Sequence, residues 1–212
     1  MKPYYSEAGI EIYHGDCREL LPSLPPVDLV LTDPPYGISH SSSYGASWQN
    51  TKIQGDSDCS LRDSVLSGFS MVAAFGSWKT PPIADCKGVL VWDKGPAFGM
   101  GDLTFPWKPS WEVIYIRGEG WGGRRDEGVL RGPVVISWES KGRCHPHQKP
   151  TWLFTHLLKK TDANLTLDPF MGSGTTLRAA KDLGRKAIGI EIEEKYCEIA
   201  ANRLRQEVLS FA

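Results

Sequence analysis

Leu-Thr-Leu-Asp-Pro-Phe-Met-Gly-Ser-Gly-Thr-Thr, residues 165–176, is the stretch that decides the fold class. A short apolar run ends in Asp168, a Gly-x-Gly turn follows at 172–174, and a helical pattern begins at Thr175. Glycines in such a turn let a ligand approach the backbone, and the amides at the helix start attract an anion. About 20 residues beyond, the next apolar run ends in Glu191, where an acid can bind a ribose diol. This order indicates a site for an adenosine-type cofactor with a small anionic group.

Short apolar runs rich in β-branched residues recur on both sides of this stretch and predict seven strands. They lie near Ile10–Tyr13, Asp28–Leu31, Met71–Phe75, Val89–Trp92, Glu112–Ile116, Leu165–Leu167 and Ala187–Ile190. Helical patterns are clearest from Pro150 to Lys160, from about Thr175 to Leu183 with Gly184 as a C-cap, and after Glu193. Strands that alternate with helices predict a doubly wound α/β sheet in a single domain, residues 1–212. Long loops are expected at 37–59 and 118–132.

A second motif, Asp33-Pro34-Pro35-Tyr36, directly follows the apolar run 28–31. Two prolines cannot continue a strand ladder, so they fix the backbone at the carboxyl end of the strand, where open α/β sheets bind ligands. The motif presents a carboxylate, a rigid carbonyl and an aromatic ring, which suit a planar base with an exocyclic amine. The alternative interpretation is a Pro-Pro strand terminator with a surface tyrosine.

A third motif, Gly15-Asp16-Cys17, follows the first predicted strand. The Asp16 carboxylate could accept a hydrogen bond from the amine of a cofactor's adenine. Asp16 with Glu19 three residues later is equally a plausible capping box for a short helix at Cys17–Leu21, which requires no ligand.

In combination, these motifs resemble those of the amino-group DNA methyltransferases, which use S-adenosylmethionine. The tetrapeptide at 33–36 precedes the Gly turn at 172–174, an order that resembles the circularly permuted β class of that family. His145-Pro146-His147-Gln148-Lys149-Pro150 is similar to the His-Pro-x-x-Lys-Pro element of the same class. The resemblance extends over most of the chain outside its loops.

The resemblance implies a Rossmann-like methyltransferase domain with seven strands, six parallel and one antiparallel. It also implies that Asp33, Pro34, Pro35 and Tyr36 hold the target base, with Glu191 at the cofactor's ribose and Lys149 near its carboxylate. The cofactor site expected on these grounds comprises Asp16, Cys17, Lys149, Asp168, Pro169, Phe170, Gly172, Ser173, Gly174, Thr175, Glu191 and Ile192.

The implied reaction is methylation of adenine N6 in double-stranded DNA, since Asp-Pro-Pro-Tyr resembles the adenine-modifying members more than the Ser-Pro-Pro variants. Methylation of cytosine N4 is the main alternative, and a non-catalytic module that binds DNA or the cofactor is another. Methylation of cytosine carbon 5 is disfavoured, because none of the fifteen prolines precedes a cysteine. No metal is expected, since His145 and His147 lack a matching carboxylate cluster.

The net charge of −1 excludes a globally basic DNA-binding protein, but the charge is unevenly distributed. Residues 117–149, a short candidate for target recognition, contain seven cations and four anions. Phosphate contacts are predicted for Arg124, Arg125, Arg131 and Arg143, although Arg131 could instead pair with Glu127. Loop 37–59, with Tyr44 and Trp48, is the candidate lid or DNA-contacting loop.

The 212 residues suffice for one domain, and 41% apolar and 23% charged residues are typical of globular proteins. No apolar run approaches a membrane span, and five scattered cysteines argue against a disulfide framework and suit a reducing cytoplasm. Self-association is a further hypothesis, because a short recognition segment offers limited contact with DNA. A restriction enzyme partner cannot be read from the sequence.

Overall fold

The computed structural model of the protein describes residues 2–38, 57–95, 104, 106–107, 110–134 and 148–206. Within these ranges, all strands belong to one mixed sheet. The strands are β1 Tyr5–Glu7, β2 Ile10–His14, β3 Leu29–Thr32, β4 Val72–Gly76, β5 Gly88–Asp93, β6 Trp111–Arg117, β7 Val129–Arg131, β8 Leu165–Asp168 and β9 Lys186–Glu191. The α-helices are α1 Cys17–Leu20, α2 Ser60–Leu66, α3 Thr151–Leu158, α4 Thr175–Asp182 and α5 Glu194–Arg205, and Leu21–Ser23 forms a 3-10 turn.

The strand order is β1-β2-β9-β8-β3-β4-β6-β5-β7. All seven predicted strands are confirmed, and among them only β6 runs antiparallel to its two neighbours. The described residues add two short edge strands, β1 and β7, so the sheet has nine strands rather than seven. Each edge strand has three residues with one buried side chain, too few to produce an apolar run. The prediction of a loop over 118–132 is therefore wrong for 129–131.

The three predicted long helices are confirmed as α3, α4 and α5, and α1 matches the short helix expected after Asp16. Gly184 follows α4 with a φ of 66°, the left-handed conformation typical of a helix C-terminus. Helix α2 was missed, because its buried face includes Arg62 beside Val65 and Leu66, which obscures the apolar pattern.

The sheet is covered on both faces, which explains why its central strands are almost entirely apolar. Along β4, Val72 and Ala74 contribute to one core layer, whereas Ala73 and Phe75 contribute to the other. Phe75 stacks on Phe154 of α3 with ring centroids 5.1 Å apart. Among the described residues, none of the helices is both long and apolar enough to span a membrane.

Because β2, β9, β8, β3 and β4 are parallel, their carboxyl ends meet at one edge of the sheet, here called the carboxyl edge. The opposite side is called the amino edge. The antiparallel strand β6 begins at the carboxyl edge with Trp111 and ends at the amino edge with Arg117. The three motifs found in the sequence all follow strands that end at the carboxyl edge.

Candidate active site

The sheet brings the two main motifs together, although more than a hundred residues separate them in the chain. Strands β3 and β8 are neighbours, so the tetrapeptide 33–36 and the turn 172–174 leave the sheet side by side. A hydrogen bond joins their strands, with the Thr32 hydroxyl donating to the buried Asp168 carboxylate at 2.6 Å. Tyr36 packs against the core layer of Phe75, and Phe170 packs against the opposite layer. Both rings therefore lie at the carboxyl edge, but they pack on opposite faces of the sheet.

The Gly turn fits a ligand that lies against its backbone. Gly172 has a φ of 51° and Gly174 a φ of 77°, both in the left-handed region that favours glycine. A Cβ at Gly172 would have no heavy atom within 4 Å, so space is open there, whereas one at Gly174 would lie 2.9 Å from the Cβ of Ala200. Gly174 thus permits close packing of α5, and Gly172 leaves the approach to the turn free.

Arg203 of α5 anchors the middle of this turn, a contact that the sequence did not reveal. Its guanidinium donates to the Ser173 carbonyl and, at 3.1 Å, to the Ser173 hydroxyl. The helical pattern after Glu193 predicted α5, but nothing in it distinguished Arg203 from the other cations of this helix.

Glu191 lies beside the turn at the end of β9. Its two oxygens accept from the backbone amides of Gly172 and Glu193, each at 2.8 Å. Burial raises the pKa of this carboxyl, although the amide donors partly oppose the effect. The side chain is thereby fixed next to the open turn, as a residue that receives a ribose diol should be. The acid and the turn therefore fit the expected adenosyl cofactor.

Asp16 follows β2, and β2 pairs with β9 so that His14 lies opposite Glu191. The Asp16 carboxylate caps α1 by accepting from the Arg18 amide at 2.9 Å, and both of its oxygens accept from the Arg18 guanidinium. These hydrogen bonds lower the pKa of Asp16. Asp16 therefore caps α1, as the capping interpretation predicted, but its partner is the Arg18 amide rather than Glu19. Contact with the cofactor's adenine stays a prediction.

Asp168 is buried and accepts from three neutral donors. In addition to Thr32, the Thr176 hydroxyl donates at 2.5 Å and the Phe170 amide at 3.1 Å. Burial raises the pKa of Asp168 to about 6, and the hydrogen bonds only partly compensate. This network ties β3 and β8 to the start of α4 and so fixes the position of the Gly turn.

The remaining residues predicted for the cofactor lie around the same edge. Cys17 and Thr175 are buried, and Ile192 is exposed. Burial raises the pKa of the Cys17 thiol to about 11, which leaves it protonated and inert at neutral pH. Pro169 is buried between Asp168 and Phe170. Contact between these side chains and the cofactor stays a prediction.

The Lys149 side chain forms hydrogen bonds with two residues of the tetrapeptide. Its Nζ donates to Asp33 Oδ2 at 2.7 Å and to the Tyr36 hydroxyl at 3.1 Å. The Tyr36 hydroxyl in turn donates to Asp33 Oδ1 at 2.6 Å. The Thr175 hydroxyl donates to the Lys149 carbonyl at 3.4 Å, which connects this lysine to the helix that follows the Gly turn.

A second acid, Glu112, completes a cluster with Asp33, Tyr36 and Lys149. It was not identified as a functional residue from the sequence. Its Oε2 lies 3.2 Å from Lys149 Nζ, and its Oε1 lies 2.5 Å from Lys94 Nζ. The sequence did hold a signal, because Glu112 opens the otherwise apolar run predicted as a strand near Glu112–Ile116. Only the antiparallel direction of β6, which the motifs do not encode, places that first residue at the carboxyl edge.

Opposite charges set the protonation states in this cluster. Burial alone would lower the pKa of Lys149, but Asp33 and Glu112 raise it well above its usual value. Burial likewise opposes ionisation of Glu112, yet Lys149 and Lys94 lower its pKa to about 2. Burial and the two carboxylates raise the pKa of Tyr36. At neutral pH Glu112 is therefore a carboxylate, Lys149 is an ammonium and Tyr36 is a neutral phenol.

The described arginines that were predicted to contact DNA do not come together, because Arg131 lies at the carboxyl edge and Arg124 and Arg125 lie at the amino edge. Arg131, at the end of β7, pairs with Glu127 at 2.8 Å, as the alternative interpretation proposed, and lies 4.0 Å from Asp93. Arg124 and Arg125 follow β6 at the amino edge, where the Arg124 carbonyl accepts from Lys160 just beyond α3. The other candidates named from the sequence, Arg143, Tyr44, Trp48, His145 and His147, lie outside the described residues.

The sequence of this chain is similar to those of known DNA methyltransferases. The family model N6_N4_Mtase, described as DNA methylase, matches residues 121–202. The type II methyltransferase M.HpaI of Haemophilus parainfluenzae is 41% identical over 227 residues, covering 87% of this chain and 70% of the relative. M.ScaI of Streptomyces caespitosus is 28% identical over 264 residues, covering 99% of this chain and 86% of the relative.

Solved structures share the fold. The cytosine-N4-specific PvuII DNA methyltransferase matches with a TM-score of 0.70 and 20% identity, over 100% of this chain and 91% of that chain. The M1.HpyAVI-SAM complex matches with a TM-score of 0.62 and 24% identity, over 92% and 99% of the two chains. With the DNA methylase model matched and a relative 41% identical over most of both chains, this chain belongs to the family of N6/N4 amino-group DNA methyltransferases.

Proposed function

We propose that this protein transfers a methyl group from S-adenosylmethionine to the exocyclic N6 amine of an adenine flipped out of double-stranded DNA. Family membership supports the coarser activity, methylation of an amino group in DNA. The choice of adenine is supported by the tetrapeptide Asp33-Pro34-Pro35-Tyr36, which resembles that of the adenine-modifying members.

The observation that carries the proposal is the position of the Asp33 carboxylate. It lies at the end of β3, fixed by Tyr36 and Lys149, next to the strand that leads into the Gly turn. A cofactor on that turn and a base on the tetrapeptide would therefore approach each other across neighbouring strands. Orientation of this kind supplies much of the rate in a reaction between two bound partners.

The target amine is a poor nucleophile, because its lone pair is delocalised into the ring. Hydrogen bonds from its N–H groups to the Asp33 carboxylate and the Pro34 carbonyl would favour a pyramidal nitrogen with an available lone pair. Tyr36 would stack on the base, with its hydroxyl held by Asp33. The sulfonium of bound S-adenosylmethionine supplies an electrophilic methyl group at this point.

In the proposed step, a nitrogen–carbon bond forms as the methyl carbon–sulfur bond breaks, and that bonding pair stays on sulfur. The amine becomes cationic and then loses a proton, for which the Asp33 carboxylate is the nearest acceptor. A base in a duplex cannot reach the site, so it must be extruded at a cost of about a few kcal/mol. Thus Asp33 would act twice, first as hydrogen-bond acceptor and then as proton acceptor.

Incubation of the protein with S-adenosylmethionine and plasmid DNA from a host without DNA methyltransferases tests this function. Mass analysis of the nucleosides should reveal N6-methyladenine. N4-methylcytosine without N6-methyladenine would overturn the choice of base and leave the coarser activity intact. If neither nucleoside forms, the activity itself is contradicted.

The first variant to test is Asp33→Ala. It should abolish methyl transfer while sparing most cofactor binding, because the Gly turn and Glu191 are unchanged. The matched control is Asp162→Ala, which removes an exposed carboxylate between α3 and β8. Single-turnover transfer and calorimetric binding of S-adenosylmethionine would be measured on both. Unchanged turnover in Asp33→Ala would remove Asp33 from the mechanism.

A further inference from the structure

We propose that Glu112 is a positioning residue, which retains the Lys149 ammonium when the Asp33 carboxylate turns to the amine of the target base. The inference rests on the proposed function and deepens it, because it assigns a role to a residue outside the recognised motifs. Glu112 acts through Lys149 and is not itself expected to contact the base.

The geometry gives Lys149 two alternative carboxylates. Its Nζ lies 2.7 Å from Asp33 and 3.2 Å from Glu112, so a small movement of the ammonium exchanges the closer partner. Glu112 is held in place from its other side, where Lys94 lies 2.5 Å from Oε1. The Tyr36 hydroxyl lies 3.4 Å from Glu112 Oε2 and can follow the same exchange.

Burial makes such a second partner necessary. The Lys149 side chain is only 9% exposed, and those of Lys94 and Glu112 are 20% exposed. A buried ammonium that loses its carboxylate without a replacement is strongly destabilised, because water cannot solvate it. With Glu112 present, Lys149 can loosen its contact with Asp33 and remain paired.

The charge balance favours the same role. The four charged groups Asp33, Glu112, Lys94 and Lys149 sum to zero with Glu112 and to +1 without it. The amine acquires positive charge as the new nitrogen–carbon bond forms, and a net positive surrounding opposes that change. An ammonium close to Asp33 also weakens the carboxylate as an acceptor for the amine and its proton. Glu112 therefore serves both the hydrogen bond and the proton transfer assigned to Asp33.

The test compares three variants in single-turnover methyl transfer on the plasmid DNA described above. Glu112→Gln removes the charge and Glu112→Asp keeps it on a shorter side chain. The matched control is Glu198→Gln, which alters an exposed glutamate of α5. We expect about a tenfold to hundredfold loss in Glu112→Gln, a partial recovery in Glu112→Asp and no change in the control. The dissociation constant for S-adenosylmethionine should stay within about twofold in all three.

A second measurement needs no DNA and keeps failure of this inference distinct from failure of the proposed function. NMR of protein labelled with 15N-lysine follows titration of the Lys149 ammonium, assigned by its absence in Lys149→Met. The groups that face it are Asp33, Glu112 and the Tyr36 hydroxyl, and Lys94 lies on the other side of Glu112. Glu112→Gln should lower the Lys149 pKa by about one unit or more, because one of two carboxylates is lost.

The possible results of the methyl-transfer and titration measurements lead to different conclusions. A rate within about twofold of wild type in Glu112→Gln, or an unchanged Lys149 titration, would overturn the role of Glu112. Slower transfer with weaker cofactor binding in proportion would also overturn it, because general damage to the fold would then explain the loss. If the wild-type protein methylates no DNA, the proposed function fails, and the titration alone decides whether Glu112 retains Lys149.

Discussion

The ion pairs of Lys149 and Lys87, at the two edges of the sheet, differ in how far they are buried. At the carboxyl edge, Lys149 is nearly buried and is shared between acids from β6 and from the turn after β3. At the amino edge, Lys87 pairs with Glu119, and their side chains are 54% and 89% exposed. The first arrangement joins distant parts of the chain, whereas the second lies almost entirely in water.

This difference indicates which charges the fold depends on. An exposed ion pair contributes little, because water screens it and two long side chains lose freedom. A buried pair contributes little against an apolar replacement, yet removal of one partner is costly because the other charge is left unpaired. Substitutions that remove a partner of Lys149 should therefore have large effects, and substitutions that break the Lys87–Glu119 pair should have small ones.

The largest contrast is expected between Lys149→Met and Lys87→Met. Loss of Lys149 leaves Asp33 and Glu112 facing each other without their shared cation, so the free energy of unfolding should fall by about 3 kcal/mol. Loss of Lys87 should change it by less than about 0.5 kcal/mol. Urea denaturation followed by circular dichroism measures both. Equal effects would contradict the distinction between the edges.

A second test concerns Asp168, which is buried at the carboxyl edge with neutral donors and no cation. Its pKa is raised to about 6, whereas an aspartate in an unfolded chain has a pKa of about 3.9. Between these values the unfolded chain loses its proton and the folded protein retains it. The contribution of this group to stability is therefore highest in acid and is lost as the pH rises from about 4 to about 6.

Asp168→Asn should accordingly stabilise the protein at pH 7 by about 2 kcal/mol. The asparagine oxygen can accept from Thr32 and Phe170, while its amide donates to the Thr176 hydroxyl, which can turn to Leu31 at 3.2 Å. Urea denaturation at several pH values between 4 and 7 would compare variant and wild type. A gain that is the same at every pH, or a loss at pH 7, would contradict the raised pKa.

The fold and the motif-bearing parts of the site were predictable from local sequence. Apolar runs identified the seven central strands, and both the tetrapeptide and the Gly turn follow strands as expected. These features can be read from consecutive residues, because neighbouring residues determine a strand end, a proline pair or a left-handed glycine. The sequence order of the motifs also matched a family whose fold the structure reproduces.

Glu112, Lys94 and Arg203 could not be predicted in the same way. Each contacts a partner that is distant in the chain, as Glu112 contacts Lys149 and Arg203 contacts Ser173. Their positions depend on strand order and on the direction of β6, which no local pattern encodes. The charge count over 117–149 likewise gave no information about which cations lie at which edge.

The smallest expected effect tests the edges as surfaces for DNA. A strand such as β6 spans roughly 20 Å, which separates the amino-edge residues Arg124 and Arg125 from a base bound at Tyr36. We therefore expect the Arg124→Gln/Arg125→Gln double variant to leave the slope of log affinity against log salt concentration unchanged. If DNA lies along the carboxyl edge, Lys79→Gln, which alters an exposed cation just beyond β4, should reduce the slope by about one for each phosphate contact that it removes. Fluorescence anisotropy with a labelled duplex at several salt concentrations measures both slopes. A reduction by about two in the double variant would instead support the phosphate contacts predicted from the sequence, and DNA would then have to extend from one edge of the sheet to the other.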